Sequence, residues 1–157
     1  WVPLLAGVAV CRALADAAGV DARLKWPNDV LVGDRKICGI LAEVAAGQVV
    51  LGVGLNVSTR ADELPPDRPS TSVALAGGVT DRLTLLRALL RCLAGDTTGD
   101  DYRELCATLG REVSVQLPDD TVATGTATAI DDDGRLVVTD AAGAATAYAA
   151  GDVVHLR

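Results

Sequence analysis

The pattern of apolar and turn-forming residues changes near Gly110, and this change predicts an architecture of two parts. Up to Gly110, apolar residues recur at both helical and strand spacings; after it, short apolar runs alternate with Gly, Pro and Asp. Five such runs in so short a segment predict a small barrel. So small a unit buries too little apolar surface to be stable alone, so residues 110–157 should pack against residues 1–109. The predicted strands are Val113–Leu117, Val122–Ile130, Leu136–Thr139, Ala145–Ala149 and Val153–Leu156.

The first part, residues 1–109, mixes helices and strands. Helical spacing predicts a helix over Leu4–Ala18, and Gly19 follows where a left-handed cap is favoured. Thr59–Ser70 carries three prolines and is predicted to be a surface loop, after which Ser70 or Thr71 could cap a short helix. The other predicted elements are helices over Leu83–Leu93 and Asp101–Leu109 and strands over Arg23–Trp26, Val30–Val32, Ile37–Val44 and Gln48–Val57.

Composition excludes several classes of function. The 157 residues are 50% hydrophobic and 22% charged, which is typical of a folded chain. A net charge of -7 argues against binding to nucleic acid or to an anionic lipid surface. No apolar run is long enough to span a membrane and no signal peptide begins the chain, so we expect a cytoplasmic protein.

The cysteines and the single histidine offer no metal site. Cys11, Cys38, Cys92 and Cys106 lie far apart and form no C-x-x-C pair. We interpret them as small buried residues in a reducing compartment, because neither a disulfide framework nor a zinc site is spaced this way. His155 completes no ligand set, and a structural role in a terminal strand suits it better than catalysis.

Two lysines stand out in a chain that otherwise uses arginine. Lys25 and Lys36 are the only lysines among 14 basic residues. A compact ammonium suits contact with an anion where the broad guanidinium fork does not fit. Between them, Pro27 ends a strand and Asn28 and Asp29 supply an amide and a carboxylate in a turn. The tripeptide could be a plain turn, but its charged neighbours favour a binding site.

A glycine strip is the third feature. In a strand over Leu51–Val57 the side chains alternate, so Gly52, Gly54 and Asn56 share one face. Glycines in a strand mark close approach, either of a ligand or of another backbone. An amide at the end of a bare strip suits a flat heterocycle, because it can donate and accept toward an adenine-like edge.

These motifs, in this order and spacing, resemble the biotin–protein ligase family. The segments that carry the resemblance are Lys25-Trp26-Pro27-Asn28-Asp29, Asp34-Arg35-Lys36, Gly39-Ile40-Leu41-Ala42-Glu43 and Gly52-Val53-Gly54-Leu55-Asn56. The resemblance implies an α+β catalytic domain like that of class II aminoacyl-tRNA synthetases, with a mixed sheet, over residues 1–109, and an SH3-like barrel over residues 110–157. It also implies an enzyme that makes biotinyl-5′-AMP from biotin and ATP and passes biotin to a lysine of a biotin carboxyl carrier protein.

The resemblance assigns roles residue by residue. Lys36 matches the central lysine that contacts the biotin carboxylate and the α-phosphate, and Asp29 matches the acidic residue near Mg²⁺. Lys25 and Asn28 support that pair, and Asn56 with Leu55 matches the adenine-binding position. The biotin slot is assigned to Gly39, Leu41, Gly52 and Gly54, and looser matches near the nucleotide are Tyr148 and Asp152. By plain alternation Lys36 and Gly39 point to opposite faces, so both can line one slot only if a bulge or twist intervenes.

The resemblance also implies that the chain is a fragment. It has no methionine, and the family's Gly/Arg-rich loop and the Ser/Thr and Gln that hold biotin would lie upstream of Trp1. On this basis the chain alone should bind biotin weakly. A lipoate-attaching relative and a biotinyl-adenylate-sensing repressor with an upstream helix-turn-helix are the alternatives. The resemblance is compatible with a homodimer.

Overall fold

The computed structural model describes residues 1–156. These residues form three α-helices, one short 3₁₀ turn over Ala61–Glu63, and nine strands. The helices are α1 (Val2–Ala18), α2 (Arg82–Ala94) and α3 (Gly99–Leu105). The strands are β1 (Arg23–Lys25), β2 (Asp29–Val32), β3 (Arg35–Ala45), β4 (Gln48–Leu55), β5 (Glu112–Gln116), β6 (Val122–Ile130), β7 (Leu136–Thr139), β8 (Ala145–Tyr148) and β9 (Asp152–His155).

The first sheet has the order β1-β2-β3-β4 and one face covered by α1. Helix α1 begins with a proline in its first turn and ends at Gly19, whose left-handed backbone lets its N–H reach Ala15 O. Gly7 lets the helix approach the sheet closely, since a Cβ there would lie 2.8 Å from Leu24 Cδ2. Leu24, Val30 and Ile40 are therefore buried beneath α1.

All pairings between the named strands of this sheet are antiparallel. The mixed sheet expected from the resemblance is thus wrong for residues 1–156, where parallel contacts are confined to two isolated bridges, Leu24 with Cys106 and Lys36 with Ser70. The second bridge also replaces the predicted short helix. The backbone around Ser70 and Thr71 pairs with Lys36 instead of starting a helix. Lys36 N donates to Pro69 O and Thr71 N donates to Lys36 O, both at 2.9 Å.

The second sheet confirms the five predicted strands and has the order β8-β7-β6-β5-β9. The final strand returns to pair with the first strand of the sheet, which places β8 and β9 at the two edges. In the described residues the ladder does not close between these edges, so a closed barrel is not observed. Val113, Val115 and Val153 are fully buried and form the centre of its core.

The two sheets are joined through the segment that follows α3. Helix α3 ends four residues before the predicted Leu109, because Cys106 bridges to Leu24 and Ala107 N donates to Leu24 O at 2.7 Å. Trp26 is 1% exposed and its indole N–H donates to Gly134 O at 3.0 Å. The tryptophan is therefore a packing residue at the joint between the sheets.

None of the helices within residues 1–156 is both long enough and apolar enough to cross a membrane. Cys11, Cys38 and Cys106 are buried, as predicted, while Cys92 is half-buried.

Candidate functional site

The glycine strip lies on the face of the first sheet opposite α1. Residues of β4 alternate in exposure, with Gly52 and Gly54 exposed and Val53 and Leu55 half-buried toward α1. This confirms the alternation predicted for Leu51–Leu55, but the strand ends at Leu55, two residues before the predicted end at Val57, because Asn56 N donates to Ile37 O and Val73 N to Asn56 O. Gly54 lies opposite Gly39 in β3, so two adjacent strands lack side chains at the same level.

A β-bulge at Ile37 brings Lys36 onto this bare face. Val30 pairs with Cys38 and the next residue, Leu31, pairs with Lys36, so Ile37 is an extra residue in β3. The extra residue reverses the alternation on one side of the bulge, which places Lys36 on the same face as Gly39. A Cβ built on Gly39 would lie 3.2 Å from both Cε and Nζ of Lys36. The bulge required by the sequence-based prediction is thus present, and Gly39 leaves the space that the lysine side chain occupies.

The ammonium of Lys36 forms an ion pair with the carboxylate of Asp29. Asp29 lies directly opposite Gly39, and its side chain is 17% exposed against 36% for Lys36. The paired atom, Asp29 Oδ1, is shut off from solvent. Its contact with the ammonium does not have hydrogen-bond geometry, so it is a close ion pair. Either a phosphate or a cation could compete for one partner of this pair.

Asn28 fixes the turn that precedes Asp29. Its side-chain amide donates to Ile40 O at 2.9 Å, and Ile40 N donates to Asn28 O at the same distance. Lys25, on the other side of the turn, is half-buried and lies opposite Asp29 in the register. The structure therefore gathers Lys25, Asn28, Asp29 and Lys36 around the end of the glycine strip.

Asn56 marks the end of the strip next to the loop. Its backbone is fixed by two hydrogen bonds of 2.9 Å, one from Asn56 N to Ile37 O and one from Val73 N to Asn56 O. Its side-chain Nδ2 donates to Thr71 O at 3.0 Å, which orients the amide. The amide is thus held in one orientation, with Oδ1 as its acceptor.

Tyr148 and Asp152 are not brought to this cluster. Tyr148 lies at the end of β8 and Asp152 at the start of β9, the two edges of the second sheet. In the part of the chain that the structure describes, neither side chain forms a hydrogen bond or an ion pair with the first sheet. Their assignment to the nucleotide remains a prediction.

The thiol nearest to the cluster is not a nucleophile. Burial raises the pKa of Cys38 to about 12, although Lys36 acts in the opposite direction. The thiol therefore stays protonated near neutral pH, and the chemistry falls to the ammonium and carboxylate groups. Among residues 1–156 no three His, Cys, Asp or Glu side chains are grouped as metal ligands, which leaves Asp29 as a single carboxylate.

Sequence reasoning missed one polar residue beside the cluster, Thr108, and expected its neighbour His155 to be a structural residue of a terminal strand, which its half-buried position in β9 supports. Thr108 is fully buried, accepts a hydrogen bond from Trp26 N at 3.1 Å, and lies 3.1 Å from His155 Nε2. Burial and the nearby charges of Arg111 and Lys25 lower the pKa of His155 to about 4, although Asp34 acts in the opposite direction. Thr108 carried no sequence signal, because it fell inside the helix predicted over Asp101–Leu109, whereas α3 ends at Leu105.

Two family models match the chain. Residues 3–59 match the Biotin/lipoate A/B protein ligase family, and residues 108–156 match the Biotin protein ligase C terminal domain. The whole chain is also 43% identical over 169 residues to the biotin–[acetyl-CoA-carboxylase] ligase of Mycobacterium tuberculosis. The chain belongs to the biotin protein ligase family.

Other members of the biotin protein ligase family match part of the sequence or the fold. The bifunctional ligase/repressor BirA of Bacillus subtilis is 35% identical over 97 residues, which are 57% of this chain. The apo structure of the Aquifex aeolicus biotin protein ligase has a TM-score of 0.86 at 22% identity and covers 99% of this chain and 75% of that one. This similarity supports the α+β fold.

The chain spans 63% of the length of the Mycobacterium tuberculosis ligase and 30% of the Bacillus subtilis protein.

Proposed function

We propose that this chain is the Lys36-bearing part of a biotin–protein ligase, which activates biotin with ATP and transfers it to a lysine of a biotin carboxyl carrier protein in the cytoplasm. The observation that carries the proposal is the Lys36 ammonium lying over Gly39, beside Asp29, at the glycine strip. The similar Mycobacterium tuberculosis protein is named as such a ligase, and a similar Aquifex aeolicus protein was solved with biotin and ATP.

The glycine strip provides the biotin slot. Gly39, Gly52 and Gly54 lack side chains, and Leu41 pairs with Gly52 and is 59% exposed on the same face. A flat bicyclic molecule with an apolar tail suits such a floor, because apolar contact can extend along the backbone. The carboxylate at the end of the tail would then meet the ammonium of Lys36.

The first step joins two anions. A carboxylate oxygen of biotin attacks the α-phosphorus of ATP, the bond from the α-phosphorus to the bridging oxygen breaks, and pyrophosphate leaves. Lys36 offsets charge on the carboxylate and on the α-phosphoryl oxygens, so catalysis is alignment plus electrostatic stabilisation. In the second step the carrier amine attacks the biotinyl carbonyl carbon, and AMP leaves while the amine loses its proton.

Magnesium fits the carboxylate of Asp29. Mg²⁺ is commonly held by one or two carboxylates together with substrate phosphates, and Asp29 Oδ1 is a buried carboxylate oxygen that contacts the Lys36 ammonium. The ion would neutralise phosphate charge, while Lys25 and Asn28 position the turn that carries Asp29.

The nucleotide base is assigned to the end of the strip. Asn56, oriented by Thr71 O, retains an acceptor for an adenine amino group, and Leu55 supports it from the preceding position. Tyr148 and Asp152 belong to this proposal only as second-sheet residues that approach when the nucleotide is bound. We also propose a domain boundary between residues 109 and 110, with the five-stranded second sheet as an SH3-like unit whose edge strands β8 and β9 do not pair with each other.

Two alternatives are separated by specific features. Lipoate attachment shares the family model of residues 3–59, but the model matched by residues 108–156 is specific to biotin protein ligases, which favours biotin. A repressor role is named for the BirA proteins, which match about half of this chain. Transfer of biotin against lipoate to a carrier domain distinguishes the first alternative, and operator binding in the presence of biotin and ATP distinguishes the second.

The proposal is tested by replacing Lys36. The protein used is the 157-residue chain joined to the part of the Mycobacterium tuberculosis ligase that it does not match, here called the joined ligase. In the Lys36→Ala variant, biotin-dependent pyrophosphate exchange should fall at least about 100-fold, because one electrostatic group at the reacting oxygens is lost. Lys36→Arg should recover little of this activity, since the guanidinium does not fit the space over Gly39.

Arg35→Ala is the matched control. Arg35 is the neighbouring cation in β3 and is exposed, and strand alternation places it on the face opposite Lys36, so its loss should leave exchange within about twofold. Near-normal exchange in Lys36→Ala, or an equal loss in Arg35→Ala, would contradict the assignment of Lys36.

A further inference from the structure

The joint between the sheets contains a threonine that has no contact with solvent and whose hydroxyl lies near a backbone N–H, a histidine ring and the thiol of Cys106. Thr108 is 0% exposed and follows α3, in the segment that joins the two sheets. Its hydroxyl oxygen accepts from the backbone N–H of Trp26 at 3.1 Å and lies 3.1 Å from Nε2 of His155 in β9. One hydroxyl therefore links the residue that follows β1 in the first sheet to the last strand of the second sheet.

The Thr108 oxygen keeps a second lone pair beside Trp26 N–H, so the hydroxyl can either donate to His155 Nε2 or accept from it, and only donation gives the buried hydroxyl proton this partner. The Thr108 hydroxyl has one proton, and its oxygen is already an acceptor for Trp26 N–H. The proton is satisfied when it points to His155 Nε2, which requires a neutral ring protonated at Nδ1. The lowered pKa of His155, to about 4 through burial and then Arg111 and Lys25, keeps the ring neutral near neutral pH, despite the opposing effect of Asp34.

Trp26 transmits this link to the candidate site. Its indole N–H donates to Gly134 O at 3.0 Å, so both its backbone and its side chain are anchored to the second half of the chain. Asn28 and Asp29 follow within three residues, and the amide of Asn28 donates to Ile40 O. The start of β2 is thus held by β3 on one side and by the anchored tryptophan on the other.

We propose that Thr108, oriented by His155, is a positioning residue that sets the placement of Asp29 against Lys36. Thr108 touches neither of these side chains and acts through the backbone of Trp26. Its relevance to catalysis rests on the proposed ligase function, whereas its effect on the Asp29 turn does not. A misplacement of about 1 Å at a catalytic group can lower the rate on the order of 100-fold, even when the mutation lies far from the chemistry.

The structural effect is measured by NMR on the 157-residue chain, which has one histidine. Long-range ¹H–¹⁵N correlation should show His155 protonated at Nδ1 with Nε2 free. In Thr108→Val this preference should be lost, and the side-chain amide of Asn28 and the backbone amide of Gly39 should shift. Thr108→Ser restores the hydroxyl and should restore all three signals. Thr124→Val, at an exposed threonine of the second sheet, is the matched control and should leave them unchanged.

A second pair of variants covers the case in which Thr108→Val fails to fold. His155→Phe removes the acceptor for the hydroxyl proton but leaves Trp26 N–H its partner, whereas His155→Gln keeps an acceptor near the position of Nε2. The Asn28 and Gly39 signals should shift in His155→Phe and remain near wild type in His155→Gln. Unchanged signals in both Thr108→Val and His155→Phe, or a wild-type ring protonated at Nε2, would overturn the proposal.

The catalytic effect is measured with the joined ligase. Thr108→Val should lower kcat for biotinyl-adenylate formation about tenfold and leave KM for biotin within about twofold, because Thr108 does not contact the slot. Thr108→Ser should restore kcat. Unchanged kcat in Thr108→Val, or no recovery in Thr108→Ser, overturns the positioning role. An inactive wild-type joined ligase instead contradicts the proposed function, and the NMR signals then decide the positioning proposal independently.

Discussion

The two faces of the first sheet are built from the same strands and serve opposite purposes. On the face under α1, Leu24 and Ile40 are almost completely buried, and Gly7 brings the helix into contact with both. On the other face, Gly52 and Gly54 leave the backbone exposed. Neighbouring residues of one strand therefore contribute either to the core or to the site.

The comparison shows that alternation of side chains along each strand assigns one face to stability and the other to chemistry. Lys36 reaches the second face only because of the β-bulge at Ile37. Without the extra residue at Ile37, the side chain of Lys36 would point toward α1, where an ammonium would be buried without a partner. The bulge moves it to the bare face beside Asp29. The predictions below test whether the two faces are as separate as this account requires.

The largest expected effect comes from the packed face. Leu24→Ala should lower the free energy of unfolding by about 3 kcal/mol, because a side chain that is 2% exposed leaves a cavity beneath α1. Urea denaturation of the 157-residue chain, followed by circular dichroism, measures this loss. A loss below about 1 kcal/mol would mean that the face under α1 is not the main core of the first sheet.

A smaller effect is expected on the bare face, at the glycine beside Lys36. Even one carbon at position 39 would lie 3.2 Å from Lys36 Cε and Nζ, so Gly39→Val must displace the lysine side chain. Adenylate formation by the joined ligase should fall about tenfold, the effect of misplacing a group rather than removing it. Gly39→Ala should lie between wild type and Gly39→Val, and full activity in Gly39→Val would separate Gly39 from the lysine site.

The smallest effect is expected on stability at the bare face. Leu41 is 59% exposed, so Leu41→Ala should change the free energy of unfolding by less than about 0.5 kcal/mol. This is the matched control for Leu24→Ala, because both are leucines in strands of the same sheet. A destabilisation equal to that of Leu24→Ala would abolish the distinction between the faces.

Local patterns allowed much of the fold to be predicted. Alternation located β4 and its glycine face, and short apolar runs between turns located all five strands of the second sheet. The bulge near Lys36 followed from combining alternation with the requirement that Lys36 and Gly39 share a slot. The strands were predictable because they depend on neighbours in the sequence, whereas the bulge also needed the slot assigned by the family resemblance.

Contacts between distant segments account for the rest. Ser70 and Thr71 have the chemistry of helix caps, but pairing with Lys36 uses their backbone as a bridge. Thr108 lies between Trp26 and His155 only in the folded chain, so the residues next to it in the sequence do not indicate these contacts. The open edges of the second sheet likewise depend on how far β8 and β9 are brought together.

The central claim is that the Lys36 ammonium lies at the glycine strip, where the biotin carboxylate meets the α-phosphate. A crystal structure of the joined ligase with biotinyl-5′-AMP tests it most directly. The account predicts Lys36 Nζ within about 3.2 Å of an oxygen of the biotinyl–phosphate linkage, which is hydrogen-bonding distance. A ligand bound elsewhere, or Nζ directed into bulk solvent away from Gly39, would contradict it.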